Sequence, residues 1–181
     1  RGGVNFGGMG DQGGQTIWAV TDVDGKFAVA HLASGKYSVQ ARADGYVQGA
    51  ASVDLATSSQ VTVEIEPEMS IEGTVKFADG TPAEGAQINA ARDPQPTPNE
   101  SGYQAGAAAW GMTGPGGRFR LTALAPGNYK LTVSPDWQGE LNIRPKTTDA
   151  IAAGSTDVKV VVDAGGVIAG VVLITLAARR I

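Results

Sequence analysis

Apolar and polar residues alternate at period two along most of this chain. Lys36-Tyr-Ser-Val-Gln-Ala-Arg42 places Tyr37, Val39 and Ala41 on one face and Lys36, Ser38, Gln40 and Arg42 on the other, and Asn128-Tyr-Lys-Leu-Thr-Val133 does the same. Such alternation predicts strands of sheets with one buried and one wet face. No window sustains apolar residues at i, i+3, i+4 and i+7 without a glycine or proline breaking it, so helices are not expected. Between the apolar stretches stand Asp24-Gly25, Ser34-Gly35, Asp44-Gly45, Asp79-Gly80, Gly116-Gly117 and Pro126-Gly127, each supplying a residue that tolerates positive φ at a turn. Short strands separated by turns at this spacing predict an antiparallel β-sandwich.

The pattern occurs twice. Trp18, Thr21, Gly25, Phe27, Leu32, Gly35 and Tyr37 return as Trp110, Thr113, Gly117, Phe119, Leu124, Gly127 and Tyr129, every pair 92 residues apart (110 − 18). Val61-Thr-Val63 matches Val158-Lys-Val160, and Ile71-Glu-Gly73-Thr-Val75 matches Ile168-Ala-Gly170-Val-Val172, now 97 apart (158 − 61). The change of register places a five-residue insertion after Tyr129, around Pro135-Asp-Trp137-Gln-Gly139. What recurs is turn glycines and apolar strand positions, which is duplicated architecture, not duplicated chemistry. A period this long makes each copy a domain and not a solenoid unit. The expected division is a first domain over 1–67, a complete second domain over 68–165, and a segment 166–181 that reads as the opening strand of a further repeat. In the 92 register, the Gly-rich opening 1–10 aligns with the polar loop 93–102, so the first copy is expected to lack its first two strands. Phe27 and Phe119, Leu32 and Leu124, and Tyr37 and Tyr129 are expected to be buried at matching places.

Composition narrows the classes. The 181 residues contain 26 glycines and no cysteine, which removes disulfides and thiolate metal sites. A net charge of −4 supplies no long-range attraction to phosphate or anionic lipid, so no nucleic-acid partner is expected. The chain starts at Arg1 with no basic-then-apolar leader, as a processed or excised piece would. Its longest apolar run, Gly165 to Ala178, falls short of the roughly 20 residues of a spanning helix, and its β-branched content favours a strand.

The pattern Gly-x-Val, Asp-Gly-Thr-Pro-x-x-Gly-Ala, Thr-x-x-x-Gly-x-Phe-x-Leu-x-x-Leu-x-x-Gly-x-Tyr-x-Leu, standing between Gly73 and Leu131, resembles the carboxypeptidase regulatory-like (transthyretin-like) domain family. Thr21 to Val75 fits the later half of the same pattern, with Ser34 where the second copy has Pro126. The resemblance implies tandem seven-stranded antiparallel β-sandwiches, immunoglobulin-like or transthyretin-like. It also implies an extracellular or cell-surface setting in bacteria, where such domains serve as spacers, accessory domains or adhesive modules. The shared motif is structural and carries over no active site.

Candidate chemistry is sparse. His31 is the only histidine, so a Ser-His-Asp arrangement could form only around it, and its repeat counterpart is Ala123. No His pair or His/Glu spacing for zinc exists, and no cofactor is expected. Asp22-Val-Asp24-Gly25 resembles the start of a calcium loop but lacks a terminal bidentate acid, and the second copy reads Gly114-Pro-Gly116-Gly117. A hairpin turn is the simpler reading. Gly7-Gly-Met-Gly10 has no lysine or following helix of a phosphate cradle and reads as a loop. Trp18 and Trp110 share one repeat position, which points to a core or strand-edge role. Trp137 has no counterpart and, with Asp136 and Tyr103, marks a candidate ligand loop.

These features predict a non-enzymatic extracellular structural protein, a tandem-sandwich subunit of a surface or filamentous assembly. The tail Val167-Ile168-Ala169-Gly170-Val171-Val172-Leu173-Ile174 is homologous to an opening strand that the first copy lacks. If these ends are native, it can act as a donor strand that completes the first domain of the next subunit, head to tail. If the chain is a piece of a longer array, a neighbouring repeat supplies that strand instead. The competing reading is a carbohydrate- or protein-binding accessory module that contacts a glycan or surface protein through Trp137, Asp136 and Tyr103.

Overall fold

The structure, a computed structural model, describes residues 3–8, 16–95, 106–136, 141–166 and 168–171. It is all-β, with twelve strands among the described residues: β1 (Gly3–Gly8), β2 (Thr16–Val20), β3 (Lys36–Arg42), β4 (Gly49–Asp54), β5 (Met69–Phe77), β6 (Gln87–Arg92), β7 (Ala108–Met112), β8 (Arg118–Leu124), β9 (Asn128–Ser134), β10 (Lys146–Thr147), β11 (Ile151–Ala152) and β12 (Val158–Val162). They form three sheets, ordered β2-β1-β3-β4, β10-β9-β6-β7 with β11 also on β9, and β12-β5-β8.

The second repeat is a sandwich of the latter two sheets. Alternation turns Ile88 and Ala90 of β6 and Tyr129, Leu131 and Val133 of β9 inward, against Ile71 and Val75 of β5, Phe119 and Leu121 of β8, and Val160 and Val162 of β12. Eight of these side chains are among the largest that are fully buried. In the small sheet, β5 is central, antiparallel to β8 and parallel to β12. A Cβ on Gly73 would lie 2.1 Å from the Val158 carbonyl oxygen, so the β5–β12 approach requires a bare Cα there.

Among the described residues, the first repeat forms one sheet. Its opening segment Gly3–Gly8, expected as loop, is strand β1 between β2 and β3. Gly3 pairs with Val20 and Gln87 pairs with Met112; Val4 pairs with Ala41 and Ile88 with Val133. β1 therefore takes the place of β6 in the same register, offset by 84 residues (87 − 3) and not 92. The connection to the next strand is eight residues shorter in the first copy, which hid the match. The physical demand is plain: β2 and β3, like β7 and β9, pair only through a strand between them, and without it both would bare a row of backbone donors and acceptors.

Local devices repeat with the strands. The Tyr37 hydroxyl donates to the Ala33 carbonyl at 2.9 Å, and the Tyr129 hydroxyl lies 2.8 Å from the Ala125 carbonyl, four residues back in each case, a tyrosine-corner arrangement. His31 and Ala123 both hold positive φ, 62° and 59°, at the end of corresponding segments. In β8 the reason is a bulge opposite the Met69–Ile71 stretch of β5. The Tyr46–Pro67 bridge recurs as Ile143–Ala164 at offset 97, while β3 and β9 end at Arg42 and Ser134, offset 92. The insertion thus falls between Ser134 and Ile143. Where the repeats meet, Val47 is buried with its Cγ1 2.9 Å from where a Gly106 Cβ would stand, and Arg92 reaches Glu66 at 4.0 Å.

Candidate functional site

β5 is the only link between β8 and β12, and among the described residues the first repeat has no strand in its place. Its counterparts of β8 and β12, residues 26–32 and 61–65, accordingly belong to no sheet. Both remain extended: half-buried and exposed positions alternate through Phe27-Ala-Val29 and through Val61-Thr-Val63-Glu-Ile65. Between them lies an open groove of about 530 Å³, lined by Phe27, Val29, Leu32, Val61 and Val63, with Tyr37 and Val53 of the sheet behind.

The consequence for packing is graded position by position. Phe119, Leu124, Tyr129, Val160 and Val162 are buried, whereas their counterparts Phe27, Leu32, Tyr37, Val63 and Ile65 are only half-buried. The expectation of equal burial fails for this reason: in the second repeat, Ile71 and Val75 of β5 cover the inner residues, and among the described residues of the first no strand does. Among the described residues, Val39 is the fully buried member of the first cluster, against fifteen buried residues in the second. Partly open apolar side chains thus line a groove between two segments that belong to no sheet among the described residues.

The remaining sequence candidates are not gathered into one place. Asp22 closes a turn: its Oδ1 accepts from the Asp24 and Lys26 amides at 2.9 and 2.8 Å. The counterpart turn of the second repeat shares the backbone bond, Gly114 amide to Arg118 carbonyl at 2.8 Å as Asp22 amide to Lys26 carbonyl at 2.9 Å, while its Gly116 amide donates to Glu84 Oε1 at 2.8 Å, so there the carboxylate comes from a distant residue. Among the described residues, no group of three His, Cys, Asp or Glu side chains could hold a metal ion. His31 is exposed, and its backbone conformation matches that of Ala123, which explains the position without catalysis. Trp18 and Trp110 are 64% and 75% exposed on β2 and β7, each the edge strand of its sheet. Asp136 is half-buried, and Trp137 and Tyr103 lie outside the described residues. Of the proposed donor strand, residues 168–171 are described: they pair with nothing in a sheet, and Ile168 and Val171 are 100% and 86% exposed. Val167, Val172, Leu173 and Ile174 lie outside the described residues. The groove stands where the sequence places a missing opening strand of the first repeat; of the two strands expected to be missing, β1 takes the place of one, and among the described residues none takes the place of the other.

Among the described residues, Tyr129 is the one buried titratable group of the second core. Its burial raises the hydroxyl pKa above the ordinary 10.0, against a smaller lowering by Arg92. Among the described residues, no helix is long and apolar enough to cross a membrane.

No curated protein matches the chain. Among solved structures it is similar to the minor pilin of Streptococcus agalactiae (16% identity, 96% of this chain and 86% of that one, TM-score 0.41) and to the shaft pilin SpaA of Lactobacillus rhamnosus GG (12%, 93% and 89%, 0.40). At those values the likeness carries no argument about this chain. The family model of the carboxypeptidase regulatory-like domain matches residues 9–68 and again 70–169. Since those two segments take up most of the 181 residues, the chain belongs to the carboxypeptidase regulatory-like domain family.

Proposed function

We propose that this chain is a non-enzymatic structural protein of an extracellular or cell-surface assembly. It is built of two sandwich domains, 1–67 and 68–165, and its first domain is completed by a strand from another molecule. The observation that carries this reading is the groove between residues 26–32 and 61–65, which has the place, walls and apolar lining of the strand that β5 supplies in the second domain. A domain left in that state exposes the edges that soluble proteins normally cover. Strand addition covers them and joins molecules at the same time. Because donor and acceptor are different surfaces, the contact is head to tail and propagates into a filament unless the rotation closes a ring.

Sedimentation velocity across a concentration series tests the reading. Association that grows with concentration and is lost when residues 165–181 are deleted is expected. A chain that remains monomeric at every concentration overturns it, as do filaments that persist unchanged in electron micrographs of the deletion variant.

A further inference from the structure

Resting on that reading, we propose that the occupant of the groove is the 168–174 segment of a second copy, seated in one register with Gly170 opposite Val61 and Phe27. The register follows from β5. In the second domain Gly73 stands opposite Val158 on β12 and opposite Phe119 on β8. Carried to the first domain, Val158 becomes Val61 and Phe119 becomes Phe27, while the tail residue matching Gly73 is Gly170. Ile168 and Val172 then fall where Ile71 and Val75 fill the second core, both fully buried there. Val171 comes opposite Thr62, as Thr74 stands opposite Lys159.

The glycine is what makes the register unique. A Cβ at Gly73 would come 2.1 Å from the Val158 carbonyl oxygen and 2.8 Å from the Val158 Cβ, a backbone collision no rotamer change relieves. The same crossing onto Val61 admits only a glycine, and between residues 167 and 176 the tail has a single one, Gly170. A shift of two residues along the groove would keep the apolar face inward yet drive the Cβ of Ile168 or Val172 into that carbonyl. Register by alternation alone is degenerate every second residue, and the glycine removes the degeneracy.

The chain has no cysteine, so two introduced thiols report on each other alone. Thr62→Cys and Val171→Cys, made on separate chains and mixed under mild oxidation, are expected to give a disulfide-linked dimer of one of each. The off-register pair Thr62→Cys and Leu173→Cys should link at least about tenfold more slowly, because adjacent strands hold only facing Cα atoms within disulfide reach. Gly170→Val should abolish association, and Val171→Thr, which restores the residue type of Thr74, should retain it. Equal rates for the two cysteine pairs in a chain that still associates overturn the register and leave strand addition standing. A disulfide within one chain of the double variant, with no dimer from the mixture, overturns the second copy as donor. Absence of both association and cross-links overturns the proposed function itself.

Discussion

Truncating the same phenylalanine in each repeat should have unequal costs. Phe119 is 6% exposed in a closed core, so Phe119→Ala removes the transfer free energy of the ring and leaves a cavity, about 3–5 kcal/mol together. Phe27 is half-buried on the wall of an open groove. Water already reaches that wall, so no closed cavity forms and only about half of the roughly 1.5–3 kcal/mol transfer value is lost, about 1 kcal/mol. With a urea slope of about 1.5 kcal/mol/M for each small domain, the two midpoints move by about 2.5 M and about 0.7 M. Hydrogen exchange followed by mass spectrometry through a urea series reads β3 and β9 separately. Gly170→Val is placed in the background to keep the chain unassociated. In the associating chain, the Phe27→Ala cost should climb toward that of Phe119→Ala as the groove closes. Equal costs in the unassociated chain would refute the reasoning, since they would mean that Phe27 is already in a closed core.

Other outcomes follow from the same geometry. Gly73→Val should destabilise the second domain by about 1–3 kcal/mol or more, read as a lower urea midpoint, because its Cβ meets the backbone of Val158. The raised pKa of Tyr129 means that the unfolded chain loses its hydroxyl proton first; stability from this group is therefore whole below pH 10 and falls as pH rises through the folded value. Alkaline titration of the melting temperature should show that fall, and Tyr129→Phe should flatten it. Chelation of divalent cations should leave the melting temperature unchanged, because the Asp22 carboxylate is already spent on two amides, and a calcium-dependent rise would contradict that account.

Much of the fold was legible because it is written locally. Tyr37, Val39 and Ala41 alternate with polar neighbours whatever sheet they join, and Gly25, Gly35 and Gly127 sit at positive φ where turn chemistry placed them. Seven landmarks at one spacing made the repeat visible without any structure. The candidate site was less legible. His31 and Asp22 attracted notice by residue type, and both proved to be parts of repeated turns. The groove is made of Phe27, Val29, Val61 and Val63, residues with no chemistry of their own, and it is recognised only by setting the first repeat beside the second, where β5 holds the corresponding place.

The sequence by itself determined the all-β class, the strand and turn positions, the duplication, and the homology of the tail to β5, since each depends on periodicity or on conformational limits within a few residues. Partner choice was decided only in three dimensions. The placement of Gly3–Gly8 in the β6 position and the parallel seating of β12 on β5 both concern which strands meet across distant chain segments. Backbone hydrogen bonding is the same for every residue, so a strand's sequence says that it must pair and which face it buries, whereas its neighbour is set by packing of the whole domain.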